Sequence, residues 1–217
     1  MTEPHSSPKP FDHLFVSQLN ELFRWRRDVR RFQTRPIDES LLTELIYSCL
    51  NAPSVGNSQP WRFVVVKDQR ARHAVCKNFE KSNDLAALAN ADDSKEHYKK
   101  LKLAGLKEAP VHLAIYCDKN PVEGKGLGRQ SMPETLEYSV VLAIGQLWYS
   151  ALAHGIGLGW VSILDPDEIN ATLDTPDNWR LIAYLCMGYP EEQHSDPELV
   201  RENWQGPTDY DTKLFYR

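Results

Sequence analysis

Gly155, Gly157 and Gly159 recur at every second position and run straight into Trp160-Val161-Ser162. Glycine carries no Cβ, so the backbone here admits a ligand or another strand closer than any other residue would allow. The bulky residues that follow read as a strand from Trp160 to Leu164. The plain alternative is tight helix-to-strand packing that ends in a core serine. No G-x-S-x-G elbow surrounds Ser162, which argues against a hydrolase nucleophile. No G-x-G-x-x-G follows the first predicted strand either, so a doubly wound dinucleotide fold is disfavoured.

A second segment, Arg26-Arg27-Asp28-Val29-Arg30-Arg31-Phe32, concentrates positive charge around one carboxylate. Upstream, Leu14, Phe15, Leu19, Leu22 and Phe23 fit one face of a helix, and that helix is expected to run into the arginines until Pro36 breaks it. In a continuous helix Arg26 and Arg30, and Arg27 and Arg31, would share faces and could grip a phosphate. A solvated basic helix end accounts for the same spacing. Asp28 reads either as a balancing charge or as an acid or base beside a ligand. The flanking cations are expected to lower its pKa and make it a base.

Asp38 is a candidate N-cap for a helix through Leu50, and Asp165-Pro166 opens a short one. Strands are expected over Trp61–Val66, Val111–Cys117 and Arg180–Met187. Residues 68–81 read as a helix, and 118–132, with Gly124, Gly126 and Gly128, as a loop. Pro133 to His154 forms a long helix that is apolar over much of its circumference, so it is either interior or packed on a partner chain. Residues 82–108 are polar and weakly patterned, which suits a cover better than a core element. Residues 1–12 read as a tail and 13–217 as one α+β domain with a mixed, mostly antiparallel sheet flanked by helices. The aromatic residues of 191–217 need a surface to lie on.

Net charge is −5, which disfavours nucleic acid as the main partner. Four cysteines without a C-x-x-C, and seven histidines without ligand spacing, signal no metal. No apolar run approaches the roughly 20 residues of a membrane span. The expected setting is soluble and cytoplasmic. The loop Ser54-Val55-Gly56-Asn57-Ser58-Gln59 offers a hydroxyl and two amides suited to a flat heterocycle, or is an ordinary turn.

Several motifs together resemble the FMN-binding nitroreductase family: the arginine-rich string, Pro53-Ser54 through Gln59-Pro60-Trp61, the apolar helix, Gly157-Leu158-Gly159-Trp160, and Gly188-Tyr189-Pro190. Arg26-Arg27-Asp28-Val29-Arg30, Ala52-Pro53-Ser54-Val55-Gly56, Gly159-Trp160-Val161-Ser162-Ile163, Leu127-Gly128-Arg129 and Leu101-Lys102-Leu103 are similar to its flavin-destroying branch. General members typically carry a serine where this chain has Asp28. The resemblance covers about residues 14–204. It implies a three-layer sandwich in an intertwined homodimer, with FMN between subunits, a lid over about 82–108 and a C-terminal arm over about 191–217.

It implies flavin contacts from Arg26, Arg27, Asp28, Val29, Arg30, Pro53, Ser54, Gln59, Leu103, Arg129, Gly159, Trp160 and Ser162, with Asp28 and Ser162 catalytic. The implied reaction takes reduced FMN as substrate and O2 as co-substrate. The products are 5,6-dimethylbenzimidazole, the lower ligand of cobalamin (vitamin B12), and erythrose 4-phosphate. NAD(P)H would act only through a separate reductase. The alternatives are an NAD(P)H-dependent nitroreductase that recycles FMN, and a flavin store that consumes none.

Overall fold

The computed structural model describes residues 11–89, 96–98, 101–206 and 213–217. Its sheet has four strands among these residues: β1 (Trp61–Val65), β2 (Val111–Asp118), β3 (Gly157–Val161) and β4 (Trp179–Gly188). Their order is β1-β2-β4-β3, and every neighbouring pair is antiparallel. β2 and β4 are therefore central. All eight residues of β2 are buried, because both faces of the sheet are covered.

Side-chain alternation divides the core into two layers. Leu113, Ile115 and Cys117 of β2, with Ala183, Leu185 and Met187 of β4, join α2 (Glu39–Ser48) and α4 (Thr135–Ala153) on one face. Ala114, Tyr116, Tyr184 and Cys186 face the other way, toward α3 (Gln69–Ala89) and α5 (Pro166–Leu173). Val75 and Ile169 from those helices are fully buried there. The result is the expected three-layer α+β sandwich.

The expected caps form as the sequence suggests. Asp38 Oδ1 accepts from Ser40 N at 2.8 Å, and Asp165 accepts from Asp167 N at 3.0 Å. Each satisfies amide groups that the first helical turn leaves without partners. α2 ends at Ser48, and a single 3-10 turn carries the chain on to Asn51. α3 is longer than the expected 68–81 and takes in the first residues of the 82–108 segment. The rest of that segment falls partly outside the described residues, but Leu106 within it is 6% exposed and Ala109 just after it 4%. β3 begins at Gly157, three residues ahead of the predicted strand, so two of the three glycines lie inside it.

α4 buries Leu136, Val140, Ile144, Leu147 and Ala151 in the core, yet leaves Tyr138, Val141 and Leu142 about half exposed. α1 (His13–Trp25) leans on α4 through Phe23 and Tyr149, whose ring centroids are 4.9 Å apart. Leu14, Phe15 and Val16 of α1 are exposed, as are Leu214, Phe215 and Tyr216. Among the described residues no helix is long and apolar enough to cross a membrane.

Candidate functional site

The arginine string is not helical. α1 stops at Trp25, and Arg26 already has extended backbone (φ −65, ψ 117). The expectation of a helix running to Pro36, with arginines paired at four-residue spacing, is thus corrected. The physical cause is the glycine face of the sheet edge. Val29 N donates to Leu158 O at 2.8 Å, and a parallel bridge joins Asp28 to Leu158. Further on, Gln33 N donates to Tyr189 O and Glu191 N to Arg31 O, at 2.8 and 3.1 Å.

A Cβ on Gly159 would sit inside the Val29 carbonyl oxygen, and one on Gly157 would lie 2.7 Å from Val29 Cγ2. A Cβ on Gly188 would meet Phe32 and Pro110. Side chains here would hold the arginine strand off, and backbone hydrogen bonds to β3 would be lost. The glycines admit another strand, one of the two uses their spacing allowed. The two-residue period of extended backbone then puts Arg26, Asp28 and Arg30 on one side.

Asp28 is fixed from two directions. Its Oδ1 accepts from Trp160 N at 2.8 Å, and its Oδ2 accepts from Arg30 Nε at 2.9 Å. The side chain keeps 30% of its accessibility. Burial nevertheless dominates and raises its pKa above the ordinary aspartate value. The Trp160 amide, Arg30 and Arg26 all pull the other way and lose. The expectation that flanking cations would lower this pKa is corrected: withdrawing the carboxyl from water costs more than the arginines return.

Beside Asp28 opens a cleft of about 690 Å³, mouth included, lined by Arg26, Arg27, Arg30, Arg31, Trp148, Leu152, Ile156 and Leu158. Its far wall comes from the segment after Pro190: Glu192, Asp196, Glu198 and Arg201. Glu198 and Arg201 sit on α6 (Glu198–Arg201). Arg31 pairs with Glu198 at 2.6 Å and Arg201 with Asp196 at 3.3 Å, while Arg27 donates to the Ser195 carbonyl. Arg26 lies 5.0 Å over the Trp148 ring and has no carboxylate within 4 Å among the described residues. Trp148 Nε1 donates to Arg27 O at 3.2 Å, which ties α4 to the arginine strand. Arg201 was not singled out from the sequence. It ends a four-residue helix in a polar stretch without periodicity, so only tertiary packing brings it to the other arginines.

The remaining expected residues fall elsewhere. Ser162 is exposed and lies immediately after β3, two residues beyond Trp160. Ser54 Oγ accepts from Gln59 N at 3.2 Å, and Val55 N donates to Ser139 Oγ at 3.0 Å at the opposite end of α4 from Trp148. Ser139 and Trp148 are nine residues apart, about 13 Å of helix. Pro53 is exposed beside this loop. The loop packs on the glycine turn of 122–129: a Cβ on Gly124 would come within 2.6 Å of Gly56 O. There Arg129 donates to Pro121 O at 3.3 Å through Nη2, while its buried Nη1 has no hydrogen-bond partner among the described residues. Leu103 lines a separate hollow against α3, with Cys76 and Phe79. Within one chain the arginine cleft and the Pro53–Gln59 loop with Arg129 are thus two distinct clusters.

Sheet topology and layering define a nitroreductase-like α+β architecture with an arginine-rich cleft at the sheet edge. The chain belongs to the Nitroreductase family, whose sequence profile matches residues 23–189. It is 49% identical over 195 residues to 5,6-dimethylbenzimidazole synthase of Rhodospirillum rubrum, covering 90% of this chain and 92% of the relative. A protein of the same name from Rhodobacter capsulatus is 42% identical over 205 residues, covering 94% and 99%. Among solved structures, an oxidised iodotyrosine deiodinase bound to FMN and 3-iodo-L-tyrosine superposes with a TM-score of 0.69 at 28% identity, over 81% of this chain and 91% of that one.

Proposed function

We propose that this protein binds reduced FMN as a substrate and, with O2, cuts it into 5,6-dimethylbenzimidazole and erythrose 4-phosphate, supplying the lower ligand of cobalamin. The observation that carries the reading is Asp28, a carboxyl with raised proton affinity held by Trp160 N and Arg30 Nε at the edge of an arginine cleft. The relatives named 5,6-dimethylbenzimidazole synthase, at 49% and 42% identity over nearly the whole chain, support it.

The residues present fit FMN. Arg26, Arg27 and Arg201 offer guanidinium groups to a phosphate, and among the described residues no carboxylate lies within 4 Å of the Arg26 guanidinium. Trp148 and Leu152, both half-buried, give the same cleft an apolar wall for a flat ring. Bound and reduced, FMN supplies the electron-rich ring system that meets O2. Asp28 Oδ2 takes and returns protons there, since burial lets it hold one more readily than an exposed aspartate. The Ser162 hydroxyl, two residues along the backbone from the Trp160 amide that holds Asp28, donates a hydrogen bond that orients the reacting edge.

The site is completed by a second copy in this reading. The two clusters of flavin-contact residues lie at opposite ends of α4, and the exposed apolar Val141 and Leu142 between them would pack on the partner. Residues 82–108 act as a lid that excludes water, and 191–217 as an arm. A separate flavin reductase delivers the electrons, in the cytoplasm.

The test combines protein, FMN, NADPH and an independent flavin reductase in air, with mass spectrometry for dimethylbenzimidazole. Product is expected only with both protein and O2. Asp28→Asn and Ser162→Gly should retain flavin and form at least about 100-fold less product, the scale of a lost proton-transfer group. FMN recovered intact alongside steady nitroarene turnover would shift the reading to a nitroreductase that recycles its flavin.

A further inference from the structure

Arg30 joins two parts of the fold that are remote in sequence. Its Nε donates to Asp28 Oδ2 and its Nη1 donates to the Lys102 carbonyl, both at 2.9 Å. One rigid, planar group therefore spans the acid and a loop 72 residues away. The same loop is seated on the arginine strand by packing. A Cβ on Gly105 would lie 2.5 Å from Phe32 Cε2 and 3.0 Å from the Arg30 carbonyl oxygen. Phe32 is 1% exposed, so its ring has no room to retreat. Leu106 and Ala109 anchor the loop in the core, and Lys102 pairs with Glu108 at 2.6 Å within it.

We propose that Arg30 is a positioning residue that couples the seating of segment 101–109 to the hydrogen bonding of Asp28. When the segment is seated, the Lys102 carbonyl fixes the guanidinium plane so that Nε faces Asp28. When it lifts, Arg30 loses that anchor and regains side-chain freedom, and its bond to Asp28 weakens. A seated segment therefore favours the ionised acid, and a lifted one favours the protonated acid. The seating of this segment and the proton inventory at Asp28 become one equilibrium.

The other groups around Asp28 do not make this link by hydrogen bonds on both sides. Arg26 acts from the same strand and the Trp160 amide from β3, while the buried Cys186 thiol on β4 meets the Gly105 backbone but reaches Asp28 only through charge. Glu198 on α6 stands 3.9 Å from Arg30 Nε and competes for it, while Glu108 and Cys76 act on the neighbouring Cys186. Arg30 alone of these bonds both Asp28 and the segment. The inference takes from the proposed function only the role of Asp28 as proton carrier. Its test needs no flavin chemistry, so the two can fail separately.

The experiment titrates Asp28 in the full chain by NMR, with 13C at the aspartate carboxyls and Asp28→Asn to assign the resonance. Arg30→Gln is expected to raise the Asp28 midpoint by about one pH unit, the low end of the effect of an adjacent opposite charge. Gly105→Ala, which leaves Arg30 in place, should raise it by a smaller step. The double variant should move it no further than Arg30→Gln alone. A Gly105→Ala midpoint equal to the parent's, or additive shifts in the double variant, would overturn the coupling.

If Arg30→Gln does not fold, Arg30→Lys keeps the charge but cannot make both bonds from one plane. It should abolish the response to Gly105→Ala, and a full response would count against the proposal. If Gly105→Ala does not fold, Glu108→Gln, which loosens Lys102, takes its place with the same expected sign, and an unmoved midpoint overturns the proposal.

Discussion

Gly159→Ala should be among the most damaging single-methyl additions to this fold. The added Cβ falls inside the van der Waals envelope of the Val29 carbonyl oxygen. Ordinary C···O contacts sit near 3.3 Å or beyond, so the arginine strand must retreat by roughly 1 Å. Two bonds cross that gap: Val29 N to Leu158 O and Trp160 N to Asp28 Oδ1, each 2.8 Å. Adding that retreat takes both past hydrogen-bond range. A neutral bond contributes about 1 kcal/mol and one to a charged group about 1.5–3, so the loss is about 2.5–4 kcal/mol.

With a urea m-value of about 2 kcal/mol/M, the unfolding midpoint should fall by about 1–2 M. Gly157→Ala meets the Val29 side chain, Cγ2 at 2.7 Å and Cβ and Cγ1 at 3.1 Å, rather than its backbone, and should cost less. Gly206→Ala, with nothing within 4 Å of the added Cβ among the described residues, should cost nothing measurable. Urea unfolding followed by circular dichroism ranks the three. If Gly159→Ala lost under about 0.5 kcal/mol, or ranked below Gly157→Ala, the view that bare glycines seat the arginine strand would be refuted.

Arg201→Ala removes a cation from the cleft and should weaken FMN binding about 10- to 100-fold, a charge-assisted bond of about 1.5–3 kcal/mol, measured by fluorescence titration. His112 is buried against the Tyr184 hydroxyl at 3.0 Å, and burial, aided by Arg72, lowers its pKa to about 4. A depressed folded-state value means that the unfolded chain binds the proton first. Stability is thus complete above about 6.5 and declines as pH falls toward 4, by up to about 3 kcal/mol. Urea midpoints between pH 7 and pH 4 should show this slope, and His112→Gln should flatten it. If the proposed dimer packs on α4, Leu142→Glu on its exposed face should shift the protein to monomer and lower flavin retention, read by sedimentation and by bound absorbance. An unchanged mass and flavin content would remove α4 from the proposed interface.

The sequence by itself determined the parts governed by local chemistry. The caps at Asp38 and Asp165, the strand starting at Trp61, the buried strand at Val111 and the apolar helix ending near His154 all depend on neighbours in the chain, and all are legible there. The layered antiparallel fold followed from those elements, and the arginine string and the glycines stood out as the place for a site. What the sequence left open was what the glycines admit. Local periodicity extended the first helix through Arg26–Arg31, whereas long-range hydrogen bonds to β3 and to the Tyr189 carbonyl pull those residues into extended form.

Only the tertiary structure decided the state of Asp28, because desolvation is a property of everything packed around a group and cannot be read from flanking charges. Only it brought Arg201 across from α6 and Lys102 onto Arg30, since such contacts are set by packing rather than spacing. It likewise separated the Pro53–Gln59 loop from the arginine cleft, because both ride on α4, a rigid helix that fixes them about 13 Å apart.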